Sequence, residues 1–288
     1  LTDPSYRGQM LVSTFPLVGN YGVPCTKQVD ALGLPAHFES DNIHVAAFIV
    51  SDYSHYHSHW EATQSLGEWL IKEKVPGIYG LDTRMLTKKI RDHGALRARI
   101  EFEQDCVMPA AAAAADQGFE DPNLRHLVAE VSTKEPVMYN EGCGGPRILA
   151  VDCGIKYNMI RHFVARGCEV KVVPWDYDFT HEIYDGLFIS NGPGDPTMCD
   201  ATIRHLRCII EGDAGPSKDK PLFGICLGNQ LLALAAGAQT YKLPFGNRGQ
   251  NQPVVNLVTN QCYITPQNHG YAINAEQLPD EWEPLFVN

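Results

Sequence analysis

The sequence has no apolar run near the ~18 residues of a membrane-spanning helix, and no charged-then-apolar leader opens it. None of its nine cysteines form a C-x-x-C pair, so a zinc site is not expected. There is no basic excess either: 23 Lys and Arg face 34 Asp and Glu, a formal net charge of −11. Such a balance disfavours nucleic acid as a partner. The cysteines are odd in number and irregular in spacing, and several sit in apolar runs, which suits a reducing compartment with mostly buried thiols. The chain opens at Leu1 inside a patterned segment, so a trimmed natural start is expected.

What is present is enough for real cores: 288 residues, 44% apolar, suited to one large domain or two ordinary ones. Up to about residue 102 the pattern is mixed. "NIHVAAFIVSD" (42–52) and "GIYGLD" (77–82) read as strands. "HWEATQSLGEWLIKEK" (59–74) has Trp60, Leu66, Trp69 and Leu70 at helical spacing. "TRMLTKKIRDHG" (83–94) reads as a helix capped by Asp82 or Thr83 and stopped by Gly94. Residues 103–146 hold a six-alanine run (110–115) and the cluster "EGCGGP" (141–146), the texture of a connector with a short helix.

From Arg147 strand and helix alternate. Strands are expected over 147–152, 168–174, 185–191 and 221–225, with helices over 156–167, 201–212 and 228–237. That order implies a parallel sheet with right-handed crossovers, whose ligands lie beyond the carboxyl ends of its strands. Residues 239–288 read as hairpins followed by a loop at "PQNHGY" (266–271).

Three stretches could carry chemistry. In "FGICLGNQL" (223–231), Cys226 falls between a buried strand and a helix. A helix N-terminus favours an anion, so a lowered thiol pKa is expected there. Gly224 and Gly228 relieve a tight turn, and the Leu227 N–H could meet an oxyanion. The competing reading is a small buried cysteine filling space. "SNGPGDP" (190–196) offers backbone N–H groups around Gly192 and Gly194, either an ordinary strand-end turn or an oxyanion donor beside Cys226; it is not a G-x-x-x-x-G-K loop and holds no lysine. "QNHGY" (267–271) carries His269, the sole histidine after Cys226, as a base or as a residue that shapes a pocket. His55, His57 and His59 alternate in "HYHSHW", but no acid stands at ligand spacing, so no metal is expected. "GNRGQNQP" (246–253) reads as a pocket wall or hairpin.

Together "GICLGNQ", "SNGPGDP", "DCGIKYN", "YKLPFGNRGQNQP" and "TPQNHGY" resemble the class I glutamine amidotransferase domain of carbamoyl phosphate synthetase. "LTDPSYRGQ", "GNYGVP" and "GLDTRMLTKKIRDHG" resemble the small-subunit N-terminal domain of the same family. The resemblance implies an α/β chain: a mixed α+β N-terminal domain over 1–140, then a doubly wound, mostly parallel amidotransferase domain over 147–288. It implies Cys226 as the nucleophile on the glutamine side-chain amide, with Leu227 and Gly192 donating to the oxyanion. It implies Ser5, Gly192, Gly194, Leu227, Gln230, Asn268, Gly270 and Tyr271 as glutamine-binding positions. The expected partners are glutamine and the large synthetase part, fused in the same chain, with no nucleic acid or membrane. No cofactor is expected in this region; ATP and Mg belong to the synthetase part, which joins the ammonia to bicarbonate.

The chain departs from the family at three places. The family's G-H-P-E motif, with its catalytic histidine and glutamate, does not occur before Asn288, so His269 matches the pocket histidine rather than the base. Asn229 stands where the family usually has histidine, so weaker glutamine use is expected. The first strands of the N-terminal domain are absent. The likeness is greatest to the fused vertebrate mitochondrial form, some of whose members use free ammonia, so the mitochondrial matrix is the expected location, with the cytoplasm as the alternative.

Overall fold

The computed structural model describes residues 1–101, 119–212 and 215–288; the alanine run lies outside them. In the N-terminal part the strands are β1 (Met10–Val12), β2 (Leu17–Val18), β3 (Val23–Pro24), β4 (Ala47–Ile49), β5 (Asp52–Tyr53), β6 (Ala62–Gln64) and β7 (Gly77–Ile78). The helices are α1 (Leu66–Lys72) and α2 (Thr83–His93). A small parallel sheet, β1-β4-β7, packs Phe48 and Val50 against Leu66, Trp69 and Leu70 of α1. Helix α2 keeps its expected limits, with Asp82 accepting from the Met85 N–H and Gly94 at φ 85° ending it. The segment 59–74 differs from its helical reading. Ser65 and Glu68 form a reciprocal capping box that starts α1 only at Leu66. Ahead of it Ala62–Gln64 pairs with β3, and Trp60 is 84% exposed.

The second part is built from α3 (Leu127–Val131), β8 (Val137–Tyr139), β9 (Arg147–Asp152), α4 (Tyr157–Ala165), β10 (Glu169–Pro174), β11 (Gly186–Ile189), α5 (Asp200–Ile210), β12 (Leu222–Gly224) and α6 (Leu227–Ala236). Its sheet has the order β12-β11-β9-β10-β8, parallel except for β8. Alternation along the strands explains why it is covered on both faces. Leu149, Val151, Leu187 and Ile189 pack with Leu206 of α5 and Leu231 of α6. Ala150, Val170, Val172 and Phe188 pack with Ile160 of α4. Part of the stretch expected as connector is therefore structural: β8 closes the sheet edge, and Val128 of α3 is buried in the core.

The tail is one long hairpin, β13 (Thr240–Asn256) with β14 (Gln261–Ile273), plus β15 (Phe286–Val287) on the outer edge of β13. "PQNHGY" is thus strand rather than loop: Gln267, Asn268 and His269 pair with Gly249, Arg248 and Asn247. Register shifts on either side of Asn247–Gly249 bend the hairpin and let a polar, turn-like sequence stay in a ladder.

Candidate active site

Chain order reverses between β9 and β11, so the crevice beyond their carboxyl ends is where a ligand belongs. Three turns meet there: Asp152–Gly154 after β9, Ser190–Gly194 after β11, and Cys226 between β12 and α6. The first two are tied together, because Ser190 Oγ accepts from the Cys153 N–H at 2.9 Å. Asp152 holds its own turn by accepting from the Gly154 and Ile155 N–H groups, each at 2.8 Å.

Cys226 occupies φ 54°, ψ −108°, a conformation that a residue with a Cβ rarely takes. Such a bend lifts a side chain out of the strand line and places it at the start of the helix. The surrounding glycines make this turn possible. A Cβ on Gly224 would overlap the Gly228 carbonyl, and one on Gly228 would overlap Ile189 O. Gly192 is pressed in the same way against Leu227 and the Cys153 carbonyl. The G-x-C-x-G spacing is therefore a packing requirement of this elbow.

The Cys226 thiol receives the Leu227 N–H and lies 3.5 Å from the Asn268 carbonyl oxygen. Its pKa is raised, contrary to the lowering expected from the helix N-terminus. Burial dominates, the Leu227 N–H offsets part of it, and nearby Asp3 and Lys156 act in opposite senses. With Asn229 exposed in the first turn of α6, that turn carries no basic side chain.

The other residues fall into two groups. Gln230, 6% exposed, donates from Nε2 to Tyr271 O at 2.8 Å and so locks α6 to β14. Burial, and then the carboxylate of Asp195 bonded to its hydroxyl, hold the Tyr271 phenol above its usual range. Gly270 stands beside the Arg248 guanidinium, and Gly194, at φ 84°, packs on Leu127. Ser5 comes from the other end of the chain, and its Oγ accepts from Asn191 Nδ2 at 2.9 Å. His269 is engaged elsewhere: Nδ1 is 2.9 Å from Tyr271 O and Nε2 is 2.9 Å from Gln267 Oε1. Both nitrogens are thus engaged with partners other than the thiol. Among the described residues no three His, Cys, Asp or Glu side chains gather as a metal site.

Three contributors escaped the sequence reading: Asn191, Asp195 and Asp3. Each lies within a quoted motif, but its contact is made to a distant segment that no local spacing reveals.

A parallel α/β sheet with a cysteine on a strained elbow at the carboxyl ends of its strands defines a doubly wound protein of the nucleophile-elbow kind, and residues 149–288 match the family described as Glutamine amidotransferase class-I. Residues 1–100 match the CPSase domain of the Carbamoyl-phosphate synthase small chain. The chain belongs to the carbamoyl-phosphate synthase small-chain family, with a class I glutamine amidotransferase domain as its second half. It is 51% identical over 290 residues to the mitochondrial carbamoyl-phosphate synthase [ammonia] of Aquarana catesbeiana, covering all of this chain and 18% of that protein. The corresponding Homo sapiens protein is 50% identical over 288 residues, again with 100% and 18% covered. The multifunctional protein ura1 of Schizosaccharomyces pombe is 50% identical over 309 residues, covering all of this chain and 14% of that protein. The chain thus spans less than a fifth of the length of these curated relatives.

Proposed function

We propose that this chain is the glutaminase region of a carbamoyl phosphate synthetase and that Cys226 is its nucleophile. In this reading the Cys226 thiolate attacks the glutamine side-chain amide. The oxyanion is held by the N–H groups of Leu227 and Gly192, and the amide nitrogen takes up the proton that the thiol gave up and leaves as ammonia. Water then cleaves the glutamyl thioester to glutamate. Ser5, Gly194, Gln230, Asn268, Gly270 and Tyr271 shape the glutamine pocket. The ammonia passes to a synthetase part fused in the full-length chain, where ATP, Mg and bicarbonate yield carbamoyl phosphate. The Aquarana catesbeiana and Homo sapiens relatives are mitochondrial synthases, which supports placing it in the mitochondrial matrix.

One observation carries this reading: a cysteine held at positive φ at the start of α6, with the next residue's N–H on its sulfur. That puts a nucleophile at a helix start beside an N–H that can pass from the sulfur to an oxyanion formed next to it. A second reading, a domain kept as a scaffold for an ammonia-using synthetase, draws on the raised thiol pKa and on Asn229. The two separate on incubating the full-length protein with a glutamine-mimicking chloroketone and with glutamine. The glutaminase predicts an adduct mapped to Cys226 and release of glutamate, both lost in Cys226→Ala. Neither adduct nor glutamate in the wild type would leave the scaffold.

A further inference from the structure

We propose that Asn191 is a positioning residue that fixes the Ser5 hydroxyl as a hydrogen-bond donor toward the α-carboxylate of glutamine, an inference that rests on the glutaminase reading. Asn191 is the second residue past β11, is 4% exposed, and reaches across 186 positions of sequence to Ser5. Its Nδ2 donates to Ser5 Oγ at 2.9 Å. A serine hydroxyl has one proton and two lone pairs. With a lone pair occupied by Asn191, and no protein acceptor for the Ser5 O–H among the described residues, the proton is free to be offered to a ligand. A carboxylate is an acceptor only, so the pairing has the right polarity.

The backbones on both sides are already immobilised. Ser5 N donates to Asp3 Oδ1 at 2.9 Å, and Ser5 O accepts from Gln9 Nε2 at 3.2 Å. Asn191 O accepts from Ser190 Oγ at 2.9 Å. What remains to be set is the direction of the Ser5 O–H, and the Asn191 amide sets it. The other end of that amide points the same way in energetic terms. Asn191 Oδ1 is buried without a partner, which is unfavourable for a carboxamide. Among the described residues the hydrogen bond to Ser5 is thus the one bond the side chain makes, and it is made across the contact between the N-terminal part and the amidotransferase sheet. The next residue is Gly192, packed on Leu227. One short turn therefore carries both Gly192, one of the two proposed oxyanion donors, and the residue that holds Ser5.

The test is steady-state glutamate release by the full-length protein. Asn191→Ala should raise KM for glutamine about tenfold, the size of one hydrogen bond to a charged group, while kcat changes less than about twofold by the same argument. Asn191→Asp keeps the shape but can only accept from Ser5, turning its proton away from the substrate, and should raise KM at least as much. A purely structural tether would be preserved by this near-isostere. Ser5→Ala should add little in the Asn191→Ala background. Unchanged KM in Asn191→Asp, or full additivity with Ser5→Ala, overturns the proposal. A wild type that releases no glutamate and is not labelled at Cys226 overturns the glutaminase reading and this inference with it, a pattern that cannot be confused with a working wild type and indifferent variants.

Discussion

At the scale of the residue, Cys226 combines a helix-start position with a burial that works against ionisation. Burial raises the thiol pKa more than the Leu227 N–H lowers it. Alkylation by iodoacetamide should therefore be slow near pH 7 and still climb as pH passes the ordinary thiol range, since the thiolate is the reactive form. A histidine at position 229 would add a titratable cation in the first turn of α6. Asn229→His should speed alkylation near neutral pH by up to about tenfold, the value of one pK unit, and raise kcat/KM for glutamine. An unchanged pH–rate curve would show that position 229 does not act on the thiol. His44 has a pH signature of its own. It is 8% exposed, its backbone braces the Ser5 turn through Leu1 and Gly8, and burial, followed by the Arg7 charge, pulls its pKa down to about 4. The folded state then binds fewer protons than the unfolded state between about pH 6.5 and 4. His44 costs nothing above that window, and stability falls as pH drops through it, by about 3 kcal/mol at most. His44→Gln should flatten urea-derived stability across this range; a slope equal to the wild type's would assign the loss to other groups.

At the scale of the element, the β12–Cys226–α6 elbow is set by close approach. Gly228→Ala would drive a methyl into the Ile189 and Ser190 carbonyls, and neither is a flexible side-chain end. A loss of roughly 3 kcal/mol or more is expected from overpacking against backbone, with a lower Tm and little chloroketone labelling of Cys226. Wild-type stability in Gly228→Ala would mean that the turn can relax. This elbow was legible in the sequence because a buried strand, a glycine pair and a helical pattern all converge on it. The central strands and α4 to α6 were legible for the same reason, each having one clear period. Other segments needed information from far along the chain. Trp60 fits the helical spacing of Trp69 and Leu70, yet the capping box at Ser65 overrides it. Residues 266–271 carry loop-like residues, and their strand exists because Asn247–Gly249 pairs with them. Residues 137–139 look like linker until β10 supplies a partner. In the site, the motif residues could be read in sequence, whereas the Asn191–Ser5 bond could not.

At the scale of the molecule, the two parts meet along α4, and that contact decides where Ser5 stands. The N-terminus of α4 lacks a side-chain cap of its own at Lys156. Glu39 supplies one from the N-terminal part, accepting from the Asn158 N–H at 3.0 Å. Tyr157 donates to Asp41 at 2.7 Å, and Leu34 is buried among Ile160, Val172 and Phe188. Arg161, half-buried, joins Asp30 at 2.7 Å and also reaches the Pro35 carbonyl. Removing it leaves Asp30 without its cation and the Pro35 carbonyl with only the Phe38 N–H, at 3.4 Å. Arg161→Met keeps most of the apolar stem and should lower stability by about 1.5–3 kcal/mol, the worth of hydrogen bonds to charged groups. The functional consequence follows from the placement of the elements. Cys226 and Leu227 belong to the elbow of the amidotransferase part, so alkylation of the thiol should stay near the wild-type rate. Ser5 belongs to the part that α4 holds, so KM for glutamine should rise. The charge exchange Asp30→Arg with Arg161→Asp should recover part of both losses if the pair itself is responsible. If Arg161→Met instead slows alkylation and leaves KM unchanged, α4 serves the elbow rather than the seat of Ser5, and the contact between the two parts does not set the substrate site.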